Sequence, residues 1–152
     1  MAWTFITTTS YGSWVPGDAR GYVQRGEILP PAPPLARHAT SLLKSPPVRF
    51  SDVEQNDLFN ALTDAAVEFG YLLTDVSVES WHLHWIVQHD DDIAPMAGRL
   101  KNRMRQQLNR GRIWTEGYHF DELLTDAVIV AASNYIARHA GARLIKGVRV
   151  KR

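Results

Sequence analysis

The spacing of apolar residues changes period along the chain, and each change marks an element. Residues 3–9 (WTFITTT) are β-branched and aromatic and predict a first strand. Residues 71–79 alternate, with Leu72, Val76 and Val78 on one face and Asp75, Ser77 and Glu79 on the other. Residues 81–88 alternate more strongly: Trp81, Leu83, Trp85 and Val87 fall on one face, His82, His84, Ile86 and Gln88 on the other. A short turn near Ser80 would pair these two strands as a hairpin. A fourth strand is expected somewhere within residues 113–124.

Helical spacing appears three times. Ser51 and Glu54 form a capping box ahead of Leu58, Leu62, Ala65, Ala66 and Phe69, and Gly70 supplies the stop. Asp90 to Asp92 can cap a second helix with Ile93, Met96, Leu100, Met104 and Leu108 on its stripe, Pro95 in its first turn and Gly111 at its end. A third runs from about 126 to 140 with the stripe Ile129, Ala132 and Ile136, stopped by Gly141. The glycines and prolines of residues 12–48 predict a long irregular loop with no helix or central strand. The order β-α-β-β-α-β-α predicts a single α+β domain over residues 1–152, an antiparallel sheet with packed helices of the ferredoxin-like, split-βαβ kind.

Composition narrows the function. The 152 residues are 45% hydrophobic, enough for a core, and contain no cysteine. Thiol nucleophiles, disulfide scaffolds and cysteine-held metals are therefore excluded. No apolar run approaches the roughly 20 residues of a membrane span, and the start of the chain has no basic segment followed by an apolar one. The expectation is a cytoplasmic protein with no membrane partner. The net charge of +1 hides an asymmetry. Residues 50–98 hold no Lys or Arg, whereas Arg99, Lys101, Arg103, Arg105, Arg110 and Arg112 follow without an acid among them. Residues 143–152 form a second acid-free basic run, read as a tail. Either run alone fits a solvated face; two in one small domain point toward nucleic acid.

Two constellations carry candidate chemistry. His82 and His84, two apart on a strand, project from the same face, as a metal pair or as a polar pair on a sheet surface. A histidine-triad hydrolase needs a third histidine at position 86, which is Ile, and a cupin needs a glutamate where Gln88 and His89 stand. Tyr135 and His139, four apart on a helix, share a face at the edge of burial, which suits packing or a site.

Taken together, the chain resembles the HUH single-tyrosine transposases, the IS200-like family and its REP-associated relatives. The resemblance rests on residues 7–18 (TTTSYGSWVPGD) with Arg20 and Gly21, on residues 82–87 (HLHWIV), on Ile113, Trp114, Thr115 and Gly117, and on Asn134, Tyr135 and Ile136. It implies an HUH endonuclease fold, a divalent ion on His82, His84 and a third side chain, and Tyr135 as nucleophile. His139 stands where the family usually has Gln or Asn, and Trp81 where Asn is common. With His139 as a ligand, Mn²⁺ or a later transition metal is expected over Mg²⁺. The implied reaction is nicking and rejoining of single-stranded or hairpin DNA through a 5′-phosphotyrosine. Arg99, Lys101, Arg103 and Arg105 are the expected DNA contacts. The resemblance also implies either a homodimer that shares its tyrosine helices or a monomer. The rival reading is a domesticated relative that binds structured single-stranded DNA or RNA without cutting it.

Overall fold

The computed structural model describes residues 2–13, 18, 20–24 and 27–146. Trp14, Val15, Pro16 and Gly17 of the resemblance segment, and residues 147–152 of the basic tail, lie outside the described residues. The fold is α+β.

Strand β1 (Ala2–Thr9) pairs antiparallel with β5 (His82–His89) along its whole length, from Ala2 opposite His89 to Thr9 opposite His82. β5 pairs on its other side with β4 (Leu72–Val78), and β1 with β6 (His119–Glu122). With β7 (Ala142–Ile145) the sheet order is β6-β1-β5-β4-β7. Because β1 and β4 both run antiparallel to β5, they are parallel to each other with β5 between them. That is the split-βαβ arrangement predicted from the element order.

Helices cover both faces, and β5 shows why. Leu83, Trp85 and Val87 point into a large core with α2 (Asp52–Phe69) and α3 (Ile93–Leu108). Ile86 points the other way, into a smaller cluster with Phe5, Leu123, Ile129 and Ile136 under α4 (Asp126–Ala137). A strand buried on both faces needs apolar or hydrogen-bonded groups on both. Burying one side chain such as Leu83 or Val87 contributes about 1.5–3 kcal/mol. The α2 signals are read as expected: Ser51 Oγ accepts from the Glu54 amide at 3.2 Å, the Glu54 carboxylate accepts from the Ser51 amide at 3.0 Å, and Gly70 is left-handed at φ 75°.

The structure corrects four local expectations. The segment read as an irregular loop contains a hairpin, β2 (Tyr22–Gln24) with β3 (Glu27–Leu29), and a helix, α1 (Pro33–Ser41). Pro33 and Pro34 open α1 at its first two positions, where a missing amide costs no helical hydrogen bond. A bulge between Leu73 and Asp75 shifts the phase of β4, so Leu73 is 7% exposed and Leu72 is 45% exposed. The front of the basic tail is a strand, with Leu144 opposite Val76 and Ala142 opposite Ser77. Gly141 does not stop α4, which ends at Ala137. It is glycine because a Cβ there would lie 2.0 Å from the Val78 carbonyl oxygen.

The bulge sets a test. Leu73→Ala should cost about 2–4 kcal/mol, since it empties a buried site. Leu72→Ala should stay within about 0.5 kcal/mol. Urea denaturation of the two variants checks this, and equal losses would place the phase shift elsewhere.

Candidate metal centre and nucleophile

The β1–β5 register places Thr7 opposite His84 and Thr9 opposite His82 on the α4 side of the sheet. His139 comes from the turn after α4, its amide donating to the Ile136 carbonyl at 3.0 Å. One candidate ligand nitrogen from each of His82, His84 and His139 lies within 4.8 Å of the others. Ring centroids are 4.8 Å apart for His82 and His84 and 4.7 Å for His84 and His139. The three histidines, Thr7, Thr9, Trp81 and Tyr135 enclose a cavity of about 330 Å³.

Hydrogen bonds decide which nitrogens face the cavity. His139 Nδ1 lies 2.9 Å from the Tyr135 carbonyl oxygen, which can only accept, so Nδ1 carries a proton and Nε2 is left as the candidate ligand atom. His84 Nδ1 is 2.8 Å from Thr7 Oγ1, which leaves its Nε2 toward the cluster. His82 Nδ1 is buried and, among the described residues, has no hydrogen-bond partner. A buried polar atom without a partner is costly, and a cation is one way to satisfy it. The donor set fits a divalent transition metal: three imidazoles, two with their second nitrogen engaged by the protein.

Proton affinity points the same way. Burial, then the neighbouring His139 and Arg20, lowers the His82 pKa from 6.5 to about 4. Burial, then His82, His139 and His119, lowers that of His84 to about 3. Both rings are neutral at neutral pH, as ligands must be.

Tyr135 stands against this cluster. Its ring lies 5.3 Å from that of His84 and 4.7 Å from that of His139, and the residue is 43% exposed. One wall of the ring is closed by Phe5 at 5.9 Å. The helix carrying it is seated by Ile129 and Ile136 and by a buried hydrogen bond, from the Ser133 hydroxyl to the Asp75 carboxylate at 2.5 Å. The alternation of β4 put Asp75 on the face opposite Val76 and Val78, but its pairing with Ser133 could not be read from the sequence, because the two residues are 58 positions apart. Trp81 also departs from expectation. It lies in the turn before β5, outside the strand's alternation, and its ring lies 3.9 Å from that of His82, tilted by 53°, rather than entering the core. Arg20 covers Trp81, its guanidinium carbon 4.4 Å from the ring, and is ion-paired with Asp18. Thr7, Asp18 and Arg20 are thus brought to the site; the only sequence signal for them was their place in the resemblance segment.

The expected DNA contacts are elsewhere. Arg99, Lys101, Arg103 and Arg105 lie on α3, across the sheet from α4. Arg99 pairs with Asp91 and Arg103 with Glu68. Lys101 is half-buried, its pKa lowered by burial, and its amine donates to the Gly117 carbonyl at 2.6 Å. Arg105 lies on the surface and donates to Asn102 Oδ1 at 2.9 Å.

No family model and no curated protein sequence matches the chain. Among solved structures, it matches a REP-associated tyrosine transposase bound to a REP hairpin, with a TM-score of 0.53 and 10% identity over 93% of this chain and 75% of that one. The chain has the fold of that transposase. The antiparallel sheet with packed helices that was expected is observed, with five strands where the sequence showed four. A candidate transposase from Deinococcus radiodurans R1 overlaps 90% of this chain and 88% of its own at 14% identity, with a TM-score of 0.47. No described helix is long and apolar enough to cross a membrane.

The histidines predict a pH dependence of stability. Below about 6.5 the unfolded chain takes up protons at positions 82 and 84, while the folded chain does so only near 4 and 3. Metal-free protein should therefore lose stability as pH falls through that window. Urea midpoints of the parent should drop more steeply across it than those of a His82→Ala/His84→Ala variant. Parallel profiles would mean that the two rings are not held neutral.

Proposed function

We propose that the protein is a metal-assisted nickase and strand transferase acting on single-stranded DNA, with Tyr135 as nucleophile and His82, His84 and His139 as metal ligands. The observation that carries this reading is the packing of the Tyr135 ring against His84 and His139 within one chain. The three histidines and Tyr135 lie together within one chain, which supports catalysis in cis. The hairpin bound to the transposase of like fold supports hairpin DNA as the substrate class.

A divalent cation on the three imidazoles would withdraw charge from a non-bridging oxygen of the scissile phosphate. Tyr135, exposed on the cavity wall, would attack a phosphate held there, and its place beside the histidines supplies the proximity the reaction requires. Its Oη forms a bond to phosphorus as the bond to the 3′ oxygen breaks. The phenolic proton passes to solvent, the departing strand leaves with a 3′-hydroxyl, and the 5′-phosphate remains on the tyrosine. The new ester retains the energy of the diester, so another 3′-hydroxyl can reverse the step and join a new strand. The Ser133–Asp75 bond holds the helix, and Thr7 orients His84.

Incubation with Mn²⁺ and a hairpin oligonucleotide labelled on the 3′ side of the cleavage site should give a denaturant-resistant protein–DNA band. Tyr135→Phe should abolish the band and leave non-covalent binding within about threefold, because backbone contacts dominate such interfaces. An adduct that persists in Tyr135→Phe, or that carries label from the 5′ side, sinks the assignment. Binding with no adduct at all marks a binder of structured nucleic acid instead.

The ligand set predicts metal preference. Three imidazoles are softer than two with an amide, so Mn²⁺, Co²⁺ or Ni²⁺ should support cleavage better than Mg²⁺. His139→Gln should narrow the difference. Equal rates with Mg²⁺ and Mn²⁺ in the parent count against His139 as a ligand.

A further inference from the structure

On the face of the sheet opposite α4, α3 and residues 112–118 enclose a groove of about 580 Å³ lined by Lys101, Arg105, Arg112, Trp114, Glu116 and Tyr118. Its cations differ from those nearby. Arg99 and Arg103 are neutralised by Asp91 and Glu68, whereas among the described residues neither Arg105 nor Arg112 has a carboxylate partner. Arg112 rests over the Tyr11 ring at 5.2 Å, and Lys101 braces the groove wall by donating to the Gly117 carbonyl. Glu116 is the one acid on the lining.

Beside the groove runs β6, an edge strand whose four residues are all exposed. Phe120 on it is 44% exposed, and its ring lies 5.9 Å from that of Tyr118. The exposed Phe120 and half-buried Tyr118, next to guanidinium groups without carboxylate partners, form the combination that takes bases on ring faces and phosphates on cations. The same stretch of chain leads to the metal centre. Trp114 bridges to Ser10, and the Thr115 amide donates to the carbonyl of Thr9, the residue opposite His82. His119 and Asp121 on β6 then wall a second hollow, of about 600 Å³, that ends at Tyr135 and His84.

We propose that this groove and the β6 edge hold the single-stranded DNA leading to the scissile phosphate, with Arg105 and Arg112 on its phosphates and Tyr118 and Phe120 stacked with its bases. The inference rests on the nicking reading for its substrate, but the surface lies outside the metal centre and is tested without cleavage. The strand would pass from the groove, over β6, to Tyr135. Duplex DNA offers no unstacked bases to the aromatic pair, so it would be held more weakly.

Fluorescence anisotropy in EDTA, with a fluorescein-labelled mixed-sequence single strand of about 20 nucleotides and its duplex, tests this. Arg105→Gln/Arg112→Gln should weaken single-strand binding about tenfold and lower the log–log salt slope by about 1.4. Phe120→Ala should weaken it about fivefold with the salt slope unchanged. Arg103→Gln, whose parent side chain is already ion-paired, should stay within about twofold. Parent-like binding in the arginine and phenylalanine variants overturns the surface, as does equal affinity of the parent for duplex. A parent that needs these residues to bind but forms no adduct refutes the nicking reading alone. Adduct formation with unchanged binding in the variants refutes the surface alone, and no binding of either probe refutes both.

Discussion

The register between β1 and β5 is the constraint on which the site depends. In a sheet a slip of one residue sends every side chain to the opposite face. Here it would exchange His82 and His84 for Leu83 and Trp85, placing imidazoles in the large core and an indole beneath α4. The register is secured because both faces of β5 are buried in different surroundings. Leu83, Trp85 and Val87 meet α2 and α3, and Ile86 meets the small cluster under α4. Thr7 and Thr9 follow in step on β1, so the hydroxyl that orients His84 arrives through the same pairing.

Much of this was legible in the sequence, for physical reasons that differ from element to element. The capping box of α2 and the alternation of β5 are local signals, and local signals survive folding. The bulge in β4 was not legible: Leu72 and Leu73 are chemically alike, and only packing chooses between them. β7 was hidden because a short strand of mixed polarity at a sheet edge carries little periodic signal. The prolines of α1 misled because they stand at the only helical positions that tolerate them. At the site, the histidines and Tyr135 could be named from spacing and resemblance. Asp75, Ser133 and the Trp81–Arg20 stack could not, since each joins residues far apart in the chain.

The basic residues show a different limit. A run of positive charge along a helix says nothing about which members meet acids from other elements. Asp91 and Glu68, from the acidic half of the chain, neutralise Arg99 and Arg103. The charge asymmetry seen along the sequence is therefore partly annulled in space. What remains unpaired is shifted toward Arg105 and Arg112, beside the edge strand rather than along the whole helix.

The close approach at Gly141 has a mechanical consequence. Its carbonyl accepts from the Val78 amide at 2.9 Å, and its Cα leaves no room for a side chain against the Val78 carbonyl. Two residues upstream stands His139, and immediately downstream β7 begins to pair with β4. The joint between α4 and the sheet is a rigid elbow rather than a hinge. Handing α4 to a second copy of the chain would mean peeling β7 from β4 in the same movement, so the tyrosine helix and the edge strand travel together or not at all.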